Sequence, residues 1–286
     1  MEAAEIIHRI MQEKIKVALL DMYNGKANEG MRCIHEILGR FGEELDVEVF
    51  DVRQHAQLPK LEDFNLYISS GGPGNPLEGD GIWDAAYYNL IDGIWNWNKT
   101  QEKKKHILFI CHSFQMAVQH FGFAEVSRRK STSFGVMTIH KTEAGMNDPL
   151  FKGLENPFWA VDSRDYQVVQ PHFKKFKAVG AEIIALEKIR NHVEYERAIM
   201  AIRFSPEMVG TQFHPEADPH GFLEHLKKHQ VREEIIALKG KTKYLAMLEH
   251  LVEEHTIYKT NETLIPNFLK GAIQKIQEQS GVLVKD

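Results

Sequence analysis

His106-Ile107-Leu108-Phe109-Ile110-Cys111-His112-Ser113-Phe114-Gln115-Met116-Ala117-Val118-Gln119-His120-Phe121-Gly122 is the stretch on which the fold turns. HILFI is a short apolar run of the kind that forms a strand buried on both faces, and SFQMAVQHFG has the composition of a helix. The reading is strand, sharp turn, helix, with Cys111 on the turn. Working outward, Lys14 to Asp21, Leu45 to Val52 and Phe64 to Ser69 are strand runs of the same type. Glu29 to Phe41 and Ile82 to Trp97 carry apolar residues at helical spacing between them. Alternating strand and helix predicts an α/β fold: an open, mostly parallel sheet flanked by helices.

Past the elbow the pattern changes. Phe134 to Val168 reads as short strands and turns, followed by strands near Ala181 to Leu186 and Ala198 to Arg203, an antiparallel elaboration of the sheet. The strand Val209 to Phe213 leads into His214-Pro215-Glu216, where the proline predicts an extended exit and no helix start. From about Phe222 the chain reads as mostly helical. Tyr244, Met247, Leu248, Leu251 and Val252 share one stripe, and Ile265, Phe268, Leu269, Ala272, Ile273 and Ile276 another. Such stripes pack, so residues 227–286 are expected to form a helical C-terminal extension on the body 14–226, or a contact in a homo-oligomer.

Composition narrows the function classes. The 286 residues are 43% hydrophobic, enough for a buried core, and 35 Lys and Arg stand against 40 Asp and Glu. That balance lacks the cationic excess of a nucleic-acid binder. No apolar run approaches the roughly 20 residues that span a bilayer, and the charged N-terminus is unlike a signal peptide, so a cytoplasmic protein is expected. Cys33 and Cys111 make no disulfide framework or metal knuckle, and no metal or cofactor is expected. The sequons at Asn98 and Asn261 would matter only in a secreted protein.

A nucleophile on a strand-to-helix turn sits at the carboxyl end of the sheet, where ligands of open α/β proteins bind, and the following helix dipole favours a thiolate. A buried structural cysteine is the alternative on position alone. His214 and Glu216, two residues apart in an extended segment, point to one side, so the carboxylate can orient the ring: the nucleophile, base and orienter of a triad. Ser70-Gly71-Gly72-Pro73-Gly74 follows the strand LYIS, and its glycines permit a tight turn and close backbone approach. The Gly72 amide could pair with that of His112 as an oxyanion hole.

The order SGGPG, then I-C-x-x-x-Q, then G-x-Q-F-H-P-E resembles the class I, triad-type glutamine amidotransferases. The resemblance covers roughly Lys14 to Leu226, and by motif looks nearest to the amidotransferase part of guanosine monophosphate synthetase. It implies a flavodoxin-like fold, Cys111 as nucleophile, His214 as general base and acid, and Glu216 as orienter. It also implies Gly72 and His112 as oxyanion-hole amides and Gln115 as a contact to substrate glutamine. Ser163, Arg164, Asp165 and Tyr166 fall where the family contacts the α-amino and carboxylate groups of glutamine. Two positions depart from the family's G-[IV]-C-x-G-x-Q: Ser113 is small enough to tolerate, but Phe109 needs a smaller neighbour or a remodelled elbow.

The implied reaction releases ammonia from glutamine through a γ-glutamyl thioester and passes it to a separate synthase. A hydrolase of γ-glutamyl amides or peptides and a non-catalytic glutamine-binding protein of the same fold are the alternatives.

Overall fold

The computed structural model describes residues 14–189, 196–242, 244–245, 248 and 257–281. Its strands are β1 (Ile15–Asp21), β2 (Leu45–Asp51), β3 (Leu66–Ser69), β4 (His106–Ile110), β5 (Glu125–Lys141), β6 (Phe158–Val169), β7 (Glu182–Glu187), β8 (Ile199–Arg203) and β9 (Met208–Thr211). They form one sheet in the order β2-β1-β3-β4-β9-β8-β7-β5-β6. From β2 to β9 neighbours run parallel, and from β9 through β6 they run antiparallel. The mostly parallel body with an antiparallel elaboration is therefore as the sequence pattern predicts.

The longer helices are α1 (Glu29–Gly39), α2 (Trp83–Thr100), α3 (His112–Phe121), α4 (Pro219–Lys227), α5 (His229–Lys239) and α6 (Tyr258–Gln279). Strand alternation sends Val17, Leu19, Leu108 and Ile110 to one face of the sheet, which α1 and α6 cover. Ala18, Leu20, Ile107 and Phe109 go to the other face, under α2 and α3. On α6 the stripe Ile265, Phe268, Leu269, Ala272, Ile273 and Ile276 is buried within the same chain. In the other stripe, Met247, Leu251 and Val252 lie outside the described residues, while Tyr244 is buried among residues of α4 and α5.

Two local readings change, and a third is decided between its alternatives. β2 is an edge strand and not one buried on both faces; its sequence LDVEVFD exposes Asp46, Glu48 and Val49, and charges on an edge discourage pairing with other chains. The segment Phe134 to Val168 holds parts of two long antiparallel strands, 17 and 12 residues, whose register shifts between Arg128 and Ser133. Phe109 needs no remodelled elbow, because the register sets it beside Gly210 on β9 and its ring packs edge-on against Phe204 at 5.9 Å. A Cβ on Gly210 would stand 2.6 Å from Phe114 Cδ2 and 3.2 Å from Phe109 Cβ. Gly210→Ala is therefore expected to overpack the core and destabilise by about 1–3 kcal/mol. Denaturant unfolding reads this, and an unchanged midpoint would mean that the rings shift without strain.

Candidate active site

Cys111 takes φ 49 and ψ −98, a backbone conformation that L residues rarely adopt, between the end of β4 and the start of α3. Such strain persists only where the surroundings enforce it. Here the Cys111 N–H donates to Thr211 O at 2.7 Å and its carbonyl accepts from Gln115 N at 3.0 Å. Ser113, standing where the family pattern has glycine, ties the turn together: its hydroxyl accepts from Ile110 N at 2.9 Å and lies 2.8 Å from Ser69 O at the end of β3. The Cys111 sulfur is 3.7 Å from Ser163 O and 3.8 Å from Gln212 Nε2.

His214 and Glu216 meet as expected, with Nδ1 and Oε1 2.7 Å apart, but the local geometry differs from the extended exit. His214 N–H bonds Val161 O on β6 at 2.8 Å, and the chain then turns at Pro215, with Ala217 N donating to His214 O at 3.4 Å. Proline's fixed φ suits such a turn. Because a carboxylate only accepts, the Nδ1 contact makes Nδ1 the donor and leaves Nε2 for the sulfur. Burial opposes charge on His214. The charges of Glu216 and Cys111 and hydrogen bonds to both outweigh it, holding the imidazole pKa well above its usual value.

Around Cys111, His214 and Glu216 lies a cavity of about 470 Å³, walled by Tyr23, Gly72, Cys111, Tyr166, His214 and Phe222 among others. In the glycine loop only Gly74 has positive φ, at 93°. Gly71 and Gly72 are needed for space: a Cβ on Gly71 would come within 2.8 Å of His214 Cε1, and one on Gly72 within 2.3 Å of Met22 O. The amide of His112 opens α3 and so lacks an intrahelical partner, and among the described residues neither it nor the Gly72 amide bonds another backbone group. Gly72 and His112 both line the cavity, as does Cys111. The His112 side chain is buried, and its pKa is lowered to about 3 by burial and then by Arg53, so the ring is neutral.

The remaining sequence candidates divide. Gln115 lines the cavity, but its Nε2 is engaged with Tyr166 O at 3.2 Å and Gln212 Oε1 at 3.0 Å. Ser163 and Asp165 fall on one face of β6 and Arg164 on the other, as strand alternation requires. Asp165 accepts from Thr132 Oγ1 at 2.5 Å. Arg164 is part of the cavity wall, yet its guanidinium is buried, with Nε 3.0 Å from both Asp162 oxygens and NH1 3.3 Å from Tyr166 O. Its charge is thus already paired with Asp162. His225 is half-buried in the cavity wall near the Phe134 ring, whereas His229 is exposed.

Sequence reasoning missed Tyr23 and Gln212. Tyr23 follows β1 at the carboxyl end of the sheet, and burial, with Glu216 and Cys111 beside it, raises its pKa and keeps the hydroxyl protonated. Its signal was position, two residues past the first strand. Gln212 stood inside the quoted G-x-Q-F-H-P-E without a role.

Cys33 also reaches the cavity wall, but its thiol donates to Asp218 Oδ2 at 3.0 Å, and burial followed by that hydrogen bond pushes its pKa up. A glutamine-like electrophile such as a diazoketone analogue is therefore expected to modify Cys111 and spare Cys33. Peptide mass spectrometry reads the site, and preferential labelling of Cys33 would remove Cys111 as nucleophile.

The sequence pattern of the family described as glutamine amidotransferase class-I matches residues 27–233. Among solved structures, a glutamine amidotransferase from Thermotoga maritima superposes with a TM-score of 0.68 at 16% identity, covering 92% of this chain and 100% of that one. A protein assigned provisionally as one chain of a GMP synthase from Thermoplasma acidophilum gives 0.58 at 17% identity, over 94% and 99% of the two chains. The glutaminase domain of Trypanosoma brucei CTPS with bound acivicin gives 0.53 at 14%, over 86% and 96%. At these identities the likeness is one of fold. A curated homoserine O-acetyltransferase from Synechococcus elongatus is 27% identical over 158 residues, 54% of this chain and 47% of that protein. The chain thus spans about half the length of the curated relatives it matches.

Proposed function

This chain belongs to the class-I glutamine amidotransferase family, and from that premise we propose that it hydrolyses the side-chain amide of glutamine. The observation that carries the reading is the strained Cys111 facing a cavity together with His214, whose Nδ1 is held by Glu216. The Cys111 thiolate attacks the carboxamide carbon, and the developing oxyanion takes hydrogen bonds from the Gly72 and His112 amides. His214, held as imidazolium, gives its Nε2 proton to the leaving nitrogen, and ammonia departs as the C–N bond breaks. A γ-glutamyl thioester remains. Water then loses a proton to His214 and attacks the thioester, releasing glutamate and regenerating the thiolate. Tyr23, a neutral hydroxyl in the cavity wall, supplies a donor for the carboxylate of glutamine in place of the engaged Arg164.

The ammonia goes to a separate synthase, following the way this family works; a GMP-forming partner is the specific version suggested by the motif likeness. No helix among the described residues is long and apolar enough to cross a membrane. Purified chain incubated with glutamine is expected to release ammonia and glutamate in equal amounts, and Cys111→Ala to release neither. Glutamine left intact by a folded wild-type chain, with and without candidate synthases, would refute the reading.

A second reading uses the same thioester chemistry on another substrate. A cavity of about 470 Å³ lies within the range of roughly 300–1,000 Å³ typical of drug-sized ligands, and so has room for a γ-glutamyl amide or peptide larger than glutamine. Turnover of γ-glutamyl peptides with none of free glutamine would favour it. Acetyl transfer to homoserine, the reaction in the curated relative's name, belongs in the same assay.

A further inference from the structure

Asn261 stands inside α6, where asparagine is a poor helix former, and it is buried. A polar residue in such a place requires a tertiary partner. Its Nδ2 donates to Glu216 O at 2.6 Å, across 45 residues of sequence. The preceding Thr260, also buried, donates its hydroxyl to Trp159 O at 2.6 Å, on the strand whose Val161 carbonyl holds His214 N–H. One turn of α6 therefore grips both segments that place the histidine and its carboxylate. The Glu216 side chain is 1% exposed and, among the described residues, its Oε2 has no hydrogen-bond partner. With only Oε1 tied to His214, the carboxylate's direction depends on where the backbone is held.

We propose that Asn261 is a positioning residue for the triad, fixing the Glu216 backbone so that its carboxylate meets His214 Nδ1. This rests on the triad assigned above. Residue 261 lies beyond the 27–233 that match the family pattern, so the helical extension would carry part of the active-site architecture. The bond also explains why the sequon at Asn261 is spent internally.

A same-helix control exists. Asn267 donates to Leu150 O at 3.1 Å and Lys152 O at 2.9 Å, the same kind of bond at a site with no triad member. The titratable groups acting on His214 are Cys111 from the elbow and Glu216 from its own loop, and Tyr23, just past β1, stands beside both of these. The experiment follows Cys111 alkylation by iodoacetamide against pH, and the His214 imidazole by NMR titration, in wild type, Asn261→Ala and Asn267→Ala. In Asn261→Ala the imidazole titration is expected to move toward its ordinary value. Alkylation near pH 6–7 should fall by about tenfold, and kcat should fall with KM little changed. Asn267→Ala should keep both wild-type curves even if its Tm drops equally. If Asn261→Ala does not fold, the uncharged, similar-sized Asn261→Leu, which removes the donor, is read the same way. Wild-type curves in the folded Asn261 variant, or equal shifts in both variants, would overturn the proposal. Because the alkylation and imidazole-titration readouts use no glutamine, a wild type without glutaminase activity would sink the proposed reaction while leaving these shifts to support Asn261.

Discussion

His214→Ala is expected to lower glutamine hydrolysis by on the order of 10⁵-fold, and Glu216→Ala by less. Removing the imidazole takes away both the partner of the thiolate and the proton that ammonia needs in order to leave. Removing the carboxylate leaves these groups in place and costs only orientation and charge, since Oε1 sits 2.7 Å from Nδ1. The pH dependence follows from the same contacts. The His214 pKa is raised above its ordinary value, so the imidazolium persists through neutral pH and proton donation declines only as pH rises through the elevated value. Glu216→Gln removes the opposing charge and lowers that value, so the alkaline limb of kcat should move to lower pH. Steady-state kinetics on matched, folded proteins decides this, and a His214→Ala variant as active as wild type would end the triad assignment.

Gly72→Ala should cost about 10²–10³ in kcat, the scale of losing one oxyanion donor. The added Cβ would meet Met22 O at 2.3 Å, and a backbone oxygen cannot swing aside as a flexible side chain does. The loop must move instead, although Ser70 ties it to β1 through Met22 N at 2.9 Å. Displacing a catalytic group by about 1 Å is enough for a loss of roughly a hundredfold. Cys111 and His214 stay in place, so iodoacetamide should alkylate the variant at the wild-type rate while thioester formation, followed by rapid quench, slows. Wild-type kcat in the folded variant would mean that this amide does not hold the oxyanion. Parallel loss of alkylation would mean that the loop's shift reaches the triad.

The sequence by itself determined the chemistry-bearing frame. The apolar run HILFI ahead of Cys111 was enough for strand, turn and helix, because local hydrophobic pattern decides element type and the turn follows from their junction. SGGPG lies after one parallel strand and HPE follows another, so all three motifs were bound to gather at the carboxyl edge, with Cys111, His214 and Glu216 close by. What only the tertiary structure decided are matters of distance between residues far apart in the chain. Whether β2 is an edge or a central strand depends on sheet order, which no local pattern carries. Phe109 fits because the β4–β9 register brings Gly210 beside it. Arg164, which the resemblance placed among the glutamine contacts, is the buried partner of Asp162 because strand alternation puts it on the face away from Ser163 and Asp165. Tyr23 reaches the cavity and Asn261 the Glu216 backbone for the same reason. A hydroxyl after β1 and an amide on a late helix declare nothing locally, and their surroundings are set only when packing puts one against the cavity and the other 2.6 Å from the Glu216 carbonyl.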